Sequence, residues 1–152
     1  MILNPPPQTI PETYKPGFIQ EVIDSITALF DNESKLIEFS ESLLIQTTTA
    51  TVTSLDLIPV QDENTFHVNS IILAVLSGGT ARASYEIAGT FYRTGGTLTQ
   101  QGTTTVVHSQ ESVAGWDATY DVNGNDIRIR VTGAAASNID WRSSSKIMKL
   151  SN

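Results

Sequence analysis

Residues 116–131 have the sequence WDATYDVNGNDIRIRV, and this stretch decides the fold class. Asn-Gly is the residue pair preferred at the centre of a type I′ turn, so Asn123 and Gly124 predict a two-residue hairpin loop. Such a loop sets apolar residues opposite each other on one face of the hairpin: Trp116 with Val131, Ala118 with Ile129, and Tyr120 with Ile127. The other face would pair polar and oppositely charged residues: Asp117 with Arg130, and Thr119 with Arg128. The stretch therefore predicts an antiparallel ribbon with one buried face.

Further strands are predicted on both sides of this hairpin, because runs of β-type residues alternate with turn residues such as Gly78-Gly79 and Gly95-Gly96. The predicted runs are 43–60, 66–76, 81–93, 97–108, 116–122, 127–133 and 139–150. Thr fills 19 and Ser 15 of the 152 positions, while charged residues make up only 16%. This composition is typical of β-rich surfaces, so 43–152 is predicted to be an all-β sandwich or barrel.

The N-terminal region begins with a proline-rich segment. Its prolines are Pro5, Pro6, Pro7, Pro11 and Pro16. Proline fixes φ and lacks a backbone donor, so residues 1–15 are predicted to form an extended arm rather than a helix or a paired strand. Such a segment is either a loose terminus or an arm that docks on a neighbouring subunit, since a stiff segment loses little entropy on binding.

A helix is predicted after this arm, because apolar residues recur at three- and four-residue spacings over 16–31. The apolar stripe consists of Phe18, Ile19, Val22, Ile23, Ile26, Leu29 and Phe30. Residues 35–44 are less regular and predict a short helix followed by the start of a strand. Residues 1–42 hold two Lys against seven acidic residues, so the charge pattern predicts a module boundary near residue 42.

The composition also argues against several function classes. The net charge is −7 and no basic cluster is present, so nucleic-acid binding is disfavoured. The absence of cysteine removes disulfides, thiolate metal sites and cysteine nucleophiles. No apolar stretch reaches the roughly 18 residues of a membrane span, and the N-terminus lacks the pattern of a signal peptide. We therefore expect no membrane insertion, and a chain that stays where it is made or in a particle assembled there.

Metal and cofactor sites are not predicted. His67 and His108 lie in β-type runs without a second ligand at metal spacing, so both are interpreted as ordinary strand residues. The polar residues from Asp121 onward resemble the start of a calcium loop, but the glycine falls at the fourth position and Thr132 stands where a bidentate Glu is needed. The hairpin turn explains this polar cluster better.

Two further candidates concern glycans. Glu86 and Glu111 are the acidic residues that we consider for a glycosidase-type carboxylate pair, although a pair of acids is expected by chance in this domain. Among the aromatic residues, Tyr92 lies out of phase with Tyr85 and Phe91, so it is the one predicted to be exposed and to contact a glycan. The other aromatic residues are interpreted as core.

Four segments carry a resemblance to a known class of proteins. They are residues 88–103 (AGTFYRTGGTLTQQGT), 116–119 (WDAT), 124–135 (GNDIRIRVTGAA) and 138–141 (NIDW). In this order they resemble a β module that recurs in tailed-bacteriophage virion proteins, including tail fibres. The resemblance implies an antiparallel β-sandwich of jelly-roll type that assembles as a trimer, with no catalytic residues to carry over. Fibre proteins with this module commonly have long stalks, whereas this chain has only an arm and a helix.

Two functions follow from the resemblance. The leading interpretation is a non-enzymatic, homotrimeric capsid decoration or cement protein without a cofactor, anchored to the major capsid protein or another virion protein by its N-terminal segment. It would lie on the capsid surface rather than the tail, and in the host cytoplasm during assembly. A trimer would let three helices bury their apolar stripes together. The alternative is a tail-fibre or receptor-binding protein that recognises a host-surface glycan, and a glycan-cleaving enzyme ranks third.

Overall fold

The computed structural model describes Val22, Ile23 and residues 37–151. The pattern of contacts divides the chain into two units, 1–35 and 36–152. The predicted arm and nearly all of the predicted helix lie outside the described residues, so neither is confirmed. Most of the predicted anchoring residues also lie outside them: Pro5, Pro6, Pro7, Phe18, Ile19, Ile26 and Phe30. Val22 and Ile23 are described, and both side chains are exposed.

The elements of the described residues are strands. They are β1 (Ile37–Glu41), β2 (Ile45–Thr47), β3 (Val52–Pro59), β4 (Asn64–Leu76), β5 (Arg82–Thr94), β6 (Thr97–Glu111), β7 (Asp117–Asn123), β8 (Asp126–Thr132) and β9 (Ile139–Ser151). Each predicted run overlaps at least one of them, and the run 43–60 contains both β2 and β3, whereas β1 lies in none of the runs. The mainly β fold class is therefore confirmed. No described helix has the length and hydropathy of a membrane span.

Within the described residues these strands form two antiparallel sheets. The large sheet has the order β1-β9-β4-β5-β6. Strand β2 also pairs with β9, along the same edge as β1 but nearer the start of β9. The small sheet has the order β3-β8-β7. The jelly-roll topology is not confirmed by this arrangement. Strand β1 belongs to the large sheet although it precedes the predicted module boundary at residue 42.

The core lies between one face of each sheet. On β4, buried residues alternate with outward-facing ones, as expected of a strand that covers a core on one side only. The small sheet contributes the buried face of the predicted hairpin: Ala118, Tyr120, Ile127, Ile129 and Val131. The ring of Tyr120 meets that of Phe91 from the large sheet edge to face, with centroids 5.6 Å apart. Contacts of this kind hold the two sheets together by burial of aromatic surface.

Hydroxyl groups form a small polar chain inside this core. Tyr120 donates from its hydroxyl to Ser70 Oγ at 2.6 Å, and Ser70 and Ser145 hydroxyls lie 2.6 Å apart. All three residues are buried. Burial raises the pKa of Tyr120 above its ordinary value, so the phenol stays protonated and remains a donor.

The hairpin forms, but its predicted register is wrong by two residues. In the structure Asn123 pairs with Asp126, and Tyr120 pairs with Ile129 rather than with Ile127. The loop is therefore Gly124-Asn125, and Gly124 has a φ of 63° at the first central position, the pattern of a type II′ turn. A shift of two leaves every side chain on its original face because strands have a period of two. The predicted buried face is thus confirmed although the pairing is not.

The polar face of the hairpin is corrected in the same way. The predicted pairs of Asp117 with Arg130 and of Thr119 with Arg128 do not form. Asp121 instead accepts hydrogen bonds from Arg128 at 2.7 Å and from Arg130 at 2.8 Å. The Arg128 hydrogen bond in particular lowers the pKa of Asp121, and both arginines belong to β8, the partner strand in the hairpin.

Candidate functional site

The large sheet presents a face away from the small sheet, and we call it the outer face. It carries the alternate residues of β4, β5 and β9 that do not enter the core. Several apolar side chains on it are largely exposed: Ile71 (52%), Leu73 (55%), Met148 (53%) and Leu150 (66%). Exposed apolar residues side by side on one face are typical of interaction surfaces.

Polar groups from three strands converge at the middle of this face. His67, Asn69, Glu86, Lys146 and Met148 line a cavity of about 370 Å³, and we call them the outer-face cluster. The register brings them together, because Lys146 lies opposite Asn69 and Met148 lies opposite His67. Asn69 Nδ2 donates to Glu86 Oε1 at 2.9 Å. The cluster therefore combines hydrogen-bond donors, a carboxylate and an apolar thioether in one depression.

A second cavity of about 430 Å³ adjoins the first, since both are lined by His67 and Met148. Its wall also includes Thr90 and Leu150. Tyr92 is the next outward residue after Thr90 on β5, and its side chain is 36% exposed. The predicted exposure of Tyr92 is therefore confirmed, while its contact with a glycan stays a prediction.

A third cavity of about 660 Å³ lies toward the other end of the outer face. Leu73 and Val75 form its apolar floor, and Arg82 and Gln110 add polar groups. Nearby on β9, Asp140 accepts hydrogen bonds from Ser77 and Gln46, and these bonds lower the pKa of its carboxyl group. The outer face thus offers depressions of ligand size along the strands of the large sheet.

The predicted carboxylate pair does not form. Glu86 points to the outer face, where it belongs to the cluster. Glu111 lies opposite Ala83, a core-facing position of β5, and burial together with the charge of Glu111 raises the pKa of Tyr85. The strand alternation therefore places the two side chains on opposite sides of the large sheet, and Glu111, at the end of β6, lines the third cavity rather than the cluster that holds Glu86.

Both histidines and most of the other described aromatic residues lie as the sequence predicts. Six aromatic side chains are buried: Phe66, Tyr85, Phe91, Trp116, Tyr120 and Trp141. Phe39 is the exception, since it is 72% exposed. His67 and His108 lie in strands β4 and β6, and both are exposed. Among the described residues, no group of three or more His, Cys, Asp or Glu side chains is placed to hold a metal ion.

Sequence reasoning missed Asn69, Lys146 and Met148. The sequence did contain a local signal for Asn69. His67 and Asn69 alternate with apolar residues along β4, and this alternation indicates that both side chains point to the same outward face. The partner residues on β9 could not be found in this way, because Lys146 lies 77 positions after Asn69 and Met148 lies 81 positions after His67.

Comparison with known proteins shows a likeness of fold alone. No protein-family model matches the chain, and no curated protein matches its sequence. The chain is similar to the tailspike protein of Acinetobacter baumannii phage AM24, with a TM-score of 0.50 and 8% identity over 80% of the chain. It also aligns with the tailspike of A. baumannii bacteriophage Fri1, with a TM-score of 0.41 and 9% identity over 76%. The chain spans 27% and 20% of those two proteins.

These neighbours correct one expectation from the sequence. The Fri1 tailspike is described as a capsular polysaccharide depolymerase, which is an enzyme. The interpretation of this chain as a non-enzymatic protein is therefore withdrawn. The AM24 protein is a tailspike rather than a capsid protein, so the likeness to it does not favour capsid decoration over the tail-protein alternative.

Proposed function

We propose that this chain is part of a phage tail protein and that its β unit recognises a host-surface glycan through the outer face of the large sheet. The fold shared with the AM24 tailspike supports a location in the tail rather than on the capsid. The observation that carries the proposal is the outer-face cluster, in which Asn69, Glu86 and Lys146 surround Met148 in a cavity of about 370 Å³.

The chemistry of the cluster fits a sugar. A pyranose presents hydroxyl groups around its rim and C–H groups on its faces, so it needs hydrogen-bonding groups beside an apolar surface. Lys146 and Asn69 supply donors and Glu86 supplies acceptor oxygens, while exposed Met148 supplies the apolar surface. The adjoining cavity extends the site toward Tyr92, whose ring can stack on a further sugar unit. Joined depressions of this kind suit an extended chain of sugars.

The proposal also includes the assembly predicted from the sequence. A homotrimer would present three outer faces to one surface, and repeated contacts with a polymeric glycan would strengthen binding without any new type of contact. In this assembly the N-terminal arm and helix join the subunits and attach them to the rest of the virion.

A glycan array tests the proposal with the full chain and matched variants. We expect Tyr92→Ala and Met148→Ala to weaken binding to the glycan that the unchanged protein selects by about tenfold. Leu57→Ala is the control, because Leu57 is similarly exposed (44%) but lies on the small sheet. Absence of any glycan binding by the unchanged protein, or equal losses in all three variants, would contradict the proposal.

A further inference from the structure

The cations of the outer face have no carboxylate partner among the described residues. Arg128 and Arg130 form salt bridges with Asp121, and Lys149 forms one with Glu38. Arg93 lies off this face and donates to the carbonyl of Val60. The remaining three side chains also have no salt bridge to any carboxylate that the structure describes: Arg82, which donates to the carbonyl of Thr80, Arg142 and Lys146. All three lie at outward positions of β5 and β9.

The carboxylates on the same face form no salt bridge with these cations. Glu86 accepts from Asn69, and Asp140 accepts from Ser77 and Gln46, so neutral donors hold both groups. Glu41 lies opposite Ser144 at the edge strand and makes no salt bridge with a described cation. Three of the described cations and three of the described carboxylates therefore share the outer face without forming salt bridges with one another. The absence of these salt bridges leaves the cations available to an anion from outside.

We propose that the outer face binds an acidic glycan, one whose sugars carry carboxylate groups. The inference rests on the proposed function, because it specifies the ligand of the same face. Arg142 and Lys146 lie on the same side of β9, with Ser144 between them. Their four-residue separation places them about 13 Å apart along the strand, so the two cations contact acidic groups on separate sugar units of one chain. An Arg guanidinium binds a carboxylate through two parallel hydrogen bonds, which adds geometric selectivity.

The unpaired cations determine where an acidic glycan can lie on this face. Its carboxylates are attracted by Arg142 and Lys146 and repelled by Glu41 and Glu86, so only some positions of the glycan chain are favourable. Lys146 also lines the cavity that holds Asn69 and Met148, so one sugar unit meets both the charge and the hydrogen-bonding groups. Binding that depends on exposed charges is screened by salt, and it should weaken as ionic strength rises.

The test compares charge variants on a microbial glycan array that carries both uronic-acid-containing and neutral glycans. We expect the full chain to select uronic-acid glycans, and we expect Arg142→Gln and Lys146→Gln each to weaken binding by about three- to tenfold. Arg130→Gln changes the net charge by the same amount on the small sheet, and Arg128 still holds Asp121 in that variant. It should leave binding within about twofold.

A second experiment compares a glycan that binds with the same glycan after chemical reduction of its carboxyl groups. We expect the reduced, neutral polymer to bind at least about tenfold more weakly than the parent. Equal binding of parent and reduced polymers, with no effect of Arg142→Gln or Lys146→Gln, would overturn the acidic inference and leave the proposed glycan function standing. Failure to bind any glycan would overturn both.

Discussion

At the scale of single residues, buried polar groups tie the two sheets together. The hydroxyl of Tyr120, on the small sheet, donates to Ser70 and to the carbonyl of Ile87, on the large sheet. An isolated hydroxyl in such a core would cost free energy, so these hydrogen bonds are what allows a tyrosine here.

Removal of this hydroxyl should therefore lower stability. We expect Tyr120→Phe to reduce the free energy of unfolding by about 1–2 kcal/mol, because Ser70 loses a donor inside the core while the ring packing is kept. Chemical denaturation measures the difference. Tyr92→Phe serves as the control, since Tyr92 is partly exposed, and it should change stability by less than about 0.5 kcal/mol. Equal effects of the two variants would contradict the role of the hydroxyl.

Asp121 determines a pH dependence. Arg128 and Arg130 lower the pKa of Asp121 in the folded protein below its ordinary value of 3.8. A depressed pKa stabilises the fold above the unfolded pKa, and that contribution is lost as the pH falls through the folded pKa. We expect Asp121→Asn to be less stable than the unchanged protein at pH 7 by about 1 kcal/mol, with the gap closing below about pH 4. Urea denaturation at several pH values measures the gap.

Asp117→Asn is the matched control for this experiment. Asp117 lies on the same strand and carries the same charge, but its carboxylate accepts a hydrogen bond from the backbone N–H of Ala118 rather than from an arginine. We expect Asp117→Asn to show a smaller loss at pH 7. A larger loss than that of Asp121→Asn would favour the pairing first predicted from the sequence.

At the scale of elements, the predicted and the observed registers of the β7–β8 hairpin bury the same face of both strands. Both registers bury the same residues, so hydrophobic patterning cannot choose between them. The choice lies with the turn, where Gly124 takes the positive φ of 63° and Asn123 joins the strand. The salt bridges of Asp121 with Arg128 and Arg130 accompany this second arrangement.

Substitution in the loop distinguishes the two registers. We expect Gly124→Ala to lower the free energy of unfolding by about 1 kcal/mol, because a residue with a Cβ is strained at positive φ. Asn123→Ala should cost less than about 0.5 kcal/mol, since Asn123 is an exposed strand residue paired with Asp126. Thermal denaturation reports both values. A costly Asn123→Ala with a harmless Gly124→Ala would contradict the observed turn.

At the scale of the whole molecule, the outer face forms only when segments distant in sequence become neighbours. His67 and Asn69 come from β4, Glu86 from β5, and Lys146 and Met148 from β9. The alternation along each strand predicts that these residues point outward. Their convergence follows from the strand order of the large sheet, which no local pattern encodes.

The predicted trimer is a property of the whole chain. We expect light scattering on the full-length protein to give a mass about three times the monomer mass of 16.5 kDa. Ile23→Glu should reduce it to the monomer mass, because Ile23 is exposed in the single chain and belongs to the predicted apolar stripe. Leu57→Glu, an equal change on the small sheet, should leave the mass unchanged. A monomeric unchanged protein would contradict the trimer.

The amino-acid sequence by itself determined the mainly β class, most strand positions, the buried face of the hairpin and the exposure of Tyr92. These properties depend on the period of two in strands and on turn residues, and both act over a few neighbouring positions. Tertiary structure alone decided the hairpin register, the separation of Glu86 from Glu111 and the assembly of the outer-face cluster. The physical reason is that these features depend on which distant strands share backbone hydrogen bonds, and the two-residue repeat of side chains is compatible with several such pairings.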